Sequence, residues 1–212
     1  MGNEGGVGVT SSTEHWEAIY STRSTTVVGW YQREPVVSLR LVTTNSTTTS
    51  SVVDVGSGAS FLVDRLVALH YRDLTLVDVS SSALDVVRQR LGAATTDVAF
   101  VSSDVLEWRV TRHYDVWHDR AVFHFLTHDD DRRRYVQRAS MAVLPGGVLI
   151  VGTFARGGPT HCSGLEVRQH DVDDVRNCFS ESFVVQGHES EDHLTPSGTV
   201  QAFTWVVLRR AM

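Results

Sequence analysis

The sequence predicts an α/β protein with a doubly wound, three-layer fold, in which helices cover both faces of a seven-stranded sheet whose last strand is antiparallel. An N-terminal helical cap precedes the sheet in the chain. After residue 51, short valine-rich runs alternate with helical patterns. Strands that alternate with helices indicate crossover connections and a parallel sheet that is covered on both faces. The first run enters a Gly-x-Gly turn, and the last two runs have only a polar segment between them. Such a pair predicts a hairpin at one edge of the sheet.

Composition limits the chain to one domain of ordinary globular type. Its 212 residues suffice for one large domain but not for two domains and a linker. All 19 basic residues are arginine, and a net charge of -6 argues against nucleic acid as a partner. No apolar run approaches the roughly 20 residues of a membrane span, so no membrane partner is expected. The sequence pattern indicates no particular oligomeric state.

The two cysteines, Cys162 and Cys178, form neither a CxxC pair nor a disulfide framework. They predict two structural thiols in a reducing compartment, and we expect a cytoplasmic protein.

The segment before the first strand divides into a tail, a cap and a linker. Residues 1–12 lack the apolar stretch of a signal peptide, and we expect them to form a flexible tail. Residues 13–42 are helical and aromatic in pattern, with a second short helix opening near Pro35. The Thr/Ser tract at 43–51 predicts a surface loop that completes the cap and linker region, 13–51. Residues 52–212 form the predicted core.

Seven strands are predicted within the core: 52–55, 74–79, 98–101, 114–117, 148–154, 183–187 and 200–208. Apolar stripes predict a helix at 62–69 and another at 83–91 behind a serine cap. A third helix is expected from Thr127, because acids at 129–131 precede arginines from Arg132 on, the charge order that a helix dipole favours. Residues 188–199 are expected to form the loop of the terminal hairpin.

The turn after the first strand and the end of the second strand predict a nucleoside site. Glycines at 56 and 58 allow the backbone to approach a ligand at the carboxyl edge of the sheet. Asp78 ends the second strand 22 positions after Gly56, where a carboxylate can accept both ribose hydroxyls. Phe61 occupies the third-glycine position of the dinucleotide fingerprint, and the chain has no Tyr-x-x-x-Lys pair. Both features disfavour a nicotinamide-dependent oxidoreductase.

Two further segments occur in order along the chain: Ser103-Asp104-Val105 after the third strand and Leu144-Pro145-Gly146-Gly147 before the fifth. Together with Asp54-x-Gly-x-Gly and Asp78, they resemble the motifs of class I S-adenosylmethionine (SAM) dependent methyltransferases over residues 52–154. The resemblance implies a Rossmann-like methyltransferase sheet, SAM as the cofactor and methyl transfer as the reaction.

The same resemblance implies a set of cofactor-binding residues. Asp54, Gly56, Ser57 and Gly58 would face the methionine portion, Asp78 with the adjacent Val79 the ribose, and Asp104 with Val105 the adenine.

The cap resembles that of a narrower group, in which a Trp-x-x-x-Tyr element precedes Trp-Tyr-Gln. The corresponding residues are Trp16, Tyr20, Trp30, Tyr31 and Gln32. The resemblance implies that these residues close over the cofactor. The alternative is that the aromatic residues only dock a helix on the core.

The segment after the predicted fourth strand, residues 117–126, is too polar for plain core. Its Asp-Arg-Ala element resembles Asp-Arg-Gly of thiopurine methyltransferase and Asp-Lys-Gly of several protein-lysine methyltransferases. We expect His118, Asp119, Arg120 and His124 to border the acceptor cavity and to act in catalysis. His118 is the first candidate for a base or an orienting group, because imidazole titrates near neutral pH. Alternatively, Asp119 and Arg120 bridge each other and the histidines cap a helix.

The two resembling families differ in acceptor, so both a small-molecule acceptor and a protein side chain of lysine type stay open. A small molecule is favoured, because the chain has no extra recognition module. A protein that binds SAM without catalysis is a third hypothesis.

Histidines at 113, 118, 124 and 128 raise the question of a metal site. Zinc needs three or four convergent ligands with supporting partners, and we expect no metal.

Overall fold

The computed structural model describes residues 12–22 and 24–212. The expected tail lies outside the described residues except for Ser12, which begins the first helix. In this part of the chain two helices precede the sheet, α1 (Ser12–Thr22) and α2 (Val36–Thr44). Helix α2 includes the first two residues of the predicted linker and ends where the Asn45 side chain donates to the Leu41 carbonyl over 2.8 Å.

The elements of the core follow in chain order: β1 (Val52–Val55), α3 (Leu62–Ala68), β2 (Leu74–Asp78), α4 (Ser81–Leu91), β3 (Val98–Ser102), β4 (Tyr114–Arg120), α5 (Asp129–Ala142), β5 (Val143–Phe154), β6 (His161–Cys162), β7 (Leu165–Glu166), α6 (Val172–Phe179), β8 (Phe183–Leu194) and β9 (Val200–Arg210). Short 3-10 helices lie at Gly92–Asp97 and Phe123–Phe125.

Seven of these strands form one sheet in the order β3-β2-β1-β4-β5-β9-β8. Strands β1 to β5 are parallel, and β9 is antiparallel to both of its neighbours. The predicted fold class is therefore confirmed. The strand order reverses between β1 and β4, and ligands of such sheets bind beyond the carboxyl ends of the strands at this point.

Alternate residues of β1 and β4 pack on opposite faces of the sheet. Val52 and Val116 belong to an apolar cluster with α2 and α3, whereas Val53 and Trp117 belong to a cluster with Tyr135 of α5. Side chains of a strand point alternately to the two faces. Asp54 and His118, each two residues further along, therefore share the α2 face, and Asp119 lies on the α5 face.

Strand β4 is longer than predicted. Its last three residues pair with Ile150, Val151 and Gly152 of β5 in regular register, so the segment 118–120 is strand and not loop. Polarity suggested a loop, but these side chains are accommodated in the sheet because Asp119 and His118 have buried hydrogen-bond partners.

The terminal hairpin is also more regular than predicted. Strand β8 continues to Leu194, so only residues 195–199 connect it to β9 and the expected loop at 188–199 is wrong. As an edge strand, β8 exposes alternate side chains to solvent, which accounts for its polar sequence. Helix α5 begins at Asp129 with His128 as its N-cap, two residues later than predicted. The Leu-Pro-Gly-Gly segment lies within β5 instead of before it.

Among residues 12–22 and 24–212, no helix combines the length and apolar character needed to cross a membrane.

Candidate active site

A cavity of ≈ 340 Å³ lies at the carboxyl ends of the parallel strands, beneath the N-terminal cap. Most of the cofactor residues predicted from sequence line it: Trp16, Tyr20, Trp30, Tyr31, Gln32, Asp54, Gly56, Ser57, Asp78, Val79, Asp104 and Val105. Gly58 is not among the lining residues, but its amide donates to the Asp78 carboxylate over 2.7 Å. The structure thus brings residues from four strand ends and the cap to one place.

The turn after β1 requires glycine at two positions. Gly56 and Gly58 have φ angles of +62° and +50°, in the left-handed region that side chains disfavour. A Cβ atom on Gly56 would lie 1.9 Å from Cγ2 of Val122, and one on Gly58 would lie 2.3 Å from the Tyr20 hydroxyl. The glycines therefore allow the cap and the segment after β4 to approach the turn.

Asp78 is a buried carboxylate with donors already directed at it. It accepts from the amides of Gly58 and Ser80 over 2.7 and 2.8 Å. Burial disfavours the charged form and raises the pKa of Asp78 to about 6, although the two hydrogen bonds act in the opposite direction and lower it. A carboxylate has about four lone-pair positions, so Asp78 retains acceptor capacity. The site fits a ligand that brings further hydroxyl donors, as a ribose does.

At the end of β3, Asp104 lines the same cavity and accepts from the amide of Leu106 over 2.8 Å. Val105 and Leu106, both nearly buried, supply apolar surface beside it. An apolar wall next to a carboxylate suits a planar heterocycle with an exocyclic amino group.

Asp54 and His118 form a buried pair across β1 and β4. The two residues are partners in the strand register, and Nδ1 of His118 lies 2.7 Å from Oδ1 of Asp54. The imidazole also packs against Trp205, with ring centroids 5.9 Å apart. A carboxylate only accepts, so Nδ1 carries a proton and donates it to Asp54; in the neutral form of the ring the lone pair is then on Nε2. Within the described part of the chain, Nε2 has no hydrogen-bond partner.

Asp119 lies away from the cavity, which corrects the expectation that it borders the acceptor site. Because it points to the opposite face of β4, it accepts from the Tyr135 hydroxyl and from the Val122 amide, the latter over 2.9 Å. Burial raises the pKa of Asp119 to about 6. Its contacts tie α5 and the segment after β4 to the sheet, and it does not bridge to Arg120.

His124 is corrected in the same way. It is fully buried in the 3-10 helix after β4, stacked on Phe154 with ring centroids 4.2 Å apart, and is not among the cavity residues. Burial lowers the pKa of His124 to about 3, so the ring is neutral near pH 7. Of the four expected acceptor-site residues, the structure places His118 and Arg120 at the cavity.

Arg120 lines the cavity from the end of β4. Its Nη1 donates to the Trp30 carbonyl over 3.1 Å, and its guanidinium lies over the Phe203 ring, 4.7 Å from the centroid. Burial lowers the pKa of Arg120 to about 10, so it stays charged near pH 7.

The cap covers the cavity with aromatic side chains. Trp16 packs edge-on against Trp30 and Phe125, with centroids 5.5 and 5.2 Å apart, and Nε1 of Trp30 donates to the Tyr20 hydroxyl over 3.0 Å. Gln32 lies at the edge of the cap and donates to Glu191 over 2.7 Å. Both ends of the aromatic segment are therefore anchored.

Two residues near the site were not singled out from sequence. Cys162, interpreted there as a structural thiol, lines the cavity from the β6–β7 hairpin, and burial raises its pKa to about 11. No local pattern marks it. Glu191 of β8 accepts from Gln32 and, over 2.8 Å, from Nε1 of Trp205. Side chains alternate between two faces with a period of two in residues 188–194. This alternation is the signal that would have placed Glu191 on a strand paired with β9.

Within the described residues, no group of three or more His, Cys, Asp or Glu side chains is arranged to hold a metal ion.

Comparison with known families decides the class of the protein. Residues 52–147, from β1 into β5, match a family model described as a methyltransferase domain. This segment includes the Gly-x-Gly turn, Asp78, Asp104 and His118. This segment of the chain is a class I methyltransferase domain. SAM is the cofactor of this class. No curated protein matches the chain.

Solved structures similar to this methyltransferase share its fold at low sequence identity. One, from work on the conversion of a disulfide bond into a thioacetal group during echinomycin biosynthesis, has 18% identity and a TM-score of 0.74, covering 95% of this chain and 92% of its own. The N-methyltransferase NodS from Bradyrhizobium japonicum, in complex with S-adenosylhomocysteine (SAH), has 17% identity and a TM-score of 0.65, with coverages of 85% and 87%.

A third similar structure is the 1,6-didemethyltoxoflavin-N1-methyltransferase of Burkholderia thailandensis, with 1,6-didemethyltoxoflavin and SAH bound. It has 18% identity and a TM-score of 0.67, covering 84% of this methyltransferase and 78% of its own chain.

Proposed function

We propose that this methyltransferase transfers the methyl group of SAM to a small-molecule acceptor that is bound between His118 and the cap. The observation that carries the proposal is one cavity with two different ends. At one end lies Asp78, a buried carboxylate with spare acceptor capacity, and at the other lies His118, an imidazole oriented by Asp54.

The cofactor would lie across the strand ends in an extended form. In this proposal Asp78 accepts the ribose hydroxyls, Asp104 and Val105 contact the adenine, and the turn at Gly56 to Gly58 approaches the methionine portion. The left-handed glycines support the last assignment, because they leave room for a ligand against the backbone. Tyr20 and Trp30 close the site from the cap side.

SAM supplies an activated methyl group that an aligned acceptor displaces, so the protein needs no nucleophile of its own. His118 accepts the acceptor's proton on Nε2, the nitrogen that lacks a partner among the described residues. Asp54 holds the ring in this tautomer and stabilises the imidazolium that forms. The aromatic cap excludes water from the site.

A small acceptor is favoured over a protein side chain by the cover on the cavity. Trp16 and Trp30 of the cap line it from above and pack on Phe125 after β4, so a polypeptide substrate would have to displace them. The NodS and didemethyltoxoflavin enzymes, both similar in fold, are N-methyltransferases by their names. The thiopurine-methyltransferase-like subgroup is accordingly preferred to the lysine-type one. A cytoplasmic location belongs to the same proposal, supported by two free thiols.

The test is transfer of label from SAM tritiated in its methyl group. The protein is incubated with a small-molecule fraction and, separately, with a protein fraction of the same cell extract, and product label and SAH release are measured. We expect label and SAH with the small-molecule fraction. Label confined to the protein fraction would support the lysine-type alternative. Binding of SAM without SAH release in either fraction would support a non-catalytic role.

A further inference from the structure

The guanidinium of Arg120 has one edge satisfied and one edge free. Nη1 donates to the Trp30 carbonyl, while Nε and Nη2 are buried and have no hydrogen-bond partner among the described residues. Contact with the Phe203 face, 4.7 Å from the centroid, offsets part of the loss of hydration. It provides no acceptor for the two remaining N–H groups. Buried donors without a partner are costly, and native proteins rarely retain them without a ligand or water.

The two acids near Arg120, Glu191 and Asp54, form no hydrogen bond to its free edge. Both oxygens of Glu191 accept hydrogen bonds, one from Gln32 and one from Trp205. Oδ1 of Asp54 accepts from His118. Their negative charges favour the cationic form of Arg120, but neither forms a hydrogen bond to its free edge. The free edge therefore requires an acceptor from outside the described residues.

Position indicates which part of the bound molecules this edge would meet. In the sheet order, Asp104 follows the end of β3, Asp78 ends β2, and Arg120 ends β4 on the other side of β1. The contacts of Arg120 extend further in that direction, to Phe203 of β9. Arg120 thus lies on the β4 side of the cavity together with His118, two strands away from Asp78, and this is the acceptor side in the proposed function.

We propose that the methyl acceptor carries a carboxylate, which Nε and Nη2 of Arg120 bind side-on while His118 faces the methylated atom. These two nitrogens present parallel N–H groups, a geometry that matches both oxygens of a carboxylate. The proposal rests on the proposed function, because it assigns the acceptor of the same site. It excludes acceptors that are neutral or cationic at this end.

The first test uses benzoate as the carboxylate probe and benzamide as its uncharged counterpart, titrated into wild-type protein saturated with SAH. We expect benzoate to bind and benzamide to bind at least about tenfold more weakly. Equal affinity for the two probes, or no binding of benzoate, would overturn the proposal. If wild-type protein does not bind SAH, the proposed function fails instead, so the two failures are distinguishable.

Variants then test Arg120 itself. R120Q should weaken benzoate binding about tenfold or more, and R120K, which keeps the charge but loses the parallel pair of donors, should recover only part of it. R40Q is the matched control, because Arg40 forms an exposed ion pair with Glu189 and lies outside the cavity. Melting curves identify any variant that does not fold. Benzoate affinity in R120Q within twofold of R40Q would contradict the proposal.

The methionine part of SAM also has a carboxylate, which could bind Arg120 in place of the acceptor's carboxylate. A further experiment distinguishes these two carboxylates. SAH carries that carboxylate, whereas 5′-methylthioadenosine lacks it. We expect the ratio of the two Kd values to be the same in wild type and R120Q within about twofold. If R120Q lowers the preference for SAH over 5′-methylthioadenosine tenfold or more, Nε and Nη2 of Arg120 bind the carboxylate of the cofactor. That result would overturn the proposal.

Discussion

Nδ1 of His118 lies 2.7 Å from Oδ1 of Asp54, across two strands that are direct neighbours in register. The pair is buried on the face of the sheet that packs against α2, and it lines the cavity beneath the cap. Pairing in register holds both side chains at the same height, so the orientation of the imidazole depends on the sheet and not on a mobile loop. Precise placement of this kind is what acid–base catalysis requires.

The His118 assignment predicts a loss of turnover without a loss of cofactor. Since general acid–base groups contribute about 10²- to 10⁴-fold, His118→Asn should lower kcat at least about 100-fold once an acceptor is known, with the Kd for SAH nearly unchanged. The control is His113→Asn, because His113 is exposed, bonds the Met141 carbonyl and does not line the cavity. Turnover of His118→Asn equal to that of the control would refute the role.

The raised pKa of Asp78 predicts a pH dependence of cofactor binding. Ribose hydroxyls stabilise the ionised carboxylate, so SAH should bind more tightly as pH rises through about 6 and reach a plateau above it. Asp78→Asn should bind more weakly by about 1.5–3 kcal/mol at pH 7.5, the scale of hydrogen bonds to a charged group. Its affinity should change little between pH 5 and 7.5. Calorimetry in matched buffers measures both, and a wild-type affinity that is flat across this range argues against Asp78 at the ribose.

Burial of His124 predicts a contribution to acid sensitivity. Its pKa is about 3 in the folded protein, below the ordinary 6.5, so the unfolded state binds more protons between these values. Stability is therefore lost as pH falls from 6.5 towards 3, by up to about 1.4 kcal/mol per pH unit for one proton. His124→Phe keeps a ring on Phe154 and removes this slope. Groups such as Asp119 titrate in both proteins, so urea unfolding of the two from pH 7 to 4 isolates His124, and parallel curves would contradict the prediction.

Two glycine substitutions separate backbone strain from contact with the cap. Gly58→Ala and Gly157→Ala both place a side chain at positive φ, which costs about 1 kcal/mol. Only at Gly58 does the new Cβ also meet Tyr20, because Gly157 has nothing within 4 Å. Gly58→Ala should therefore be the less stable variant and should bind SAH more weakly, whereas Gly157→Ala keeps wild-type affinity. Equal effects of the two substitutions in thermal melting and SAH titration would contradict this prediction, because they would show that the Tyr20 side chain moves aside at no cost.

The fold was predictable from sequence because, in most strands of the sheet, the buried residues form an apolar run that ends at recognisable turn residues. Strand β1 has the same bounds in prediction and structure, since four buried residues end at a glycine turn. Strands β4 and β8 were predicted too short, because their polar residues suggest loops when each is considered alone. Asp119 is stabilised there by Tyr135, 16 positions away, and Glu191 by Gln32, 159 positions away. Partners so distant in the chain are not visible in a local pattern.

The residues that line the cavity were predictable at the end proposed for the cofactor and less so at the end proposed for the acceptor. Asp78 and Gly56 lie at strand ends, where topology alone brings them to one edge. The acceptor end depends on which face of β4 each residue points to, and this required the knowledge that the strand continues to Arg120. Alternation then separates His118 from Asp119. The role of Cys162 as a wall of the cavity depends on the path of the β6–β7 hairpin, which has no signature in the sequence.

The central claim is that this chain binds SAM at the carboxyl edge of the sheet, and titration calorimetry tests it most directly. Wild-type protein is titrated with SAH and, in parallel, with NAD, and the melting temperature is followed with each. We predict a micromolar Kd and thermal stabilisation with SAH and no heat with NAD. Absence of both heat and stabilisation with SAH would contradict the account.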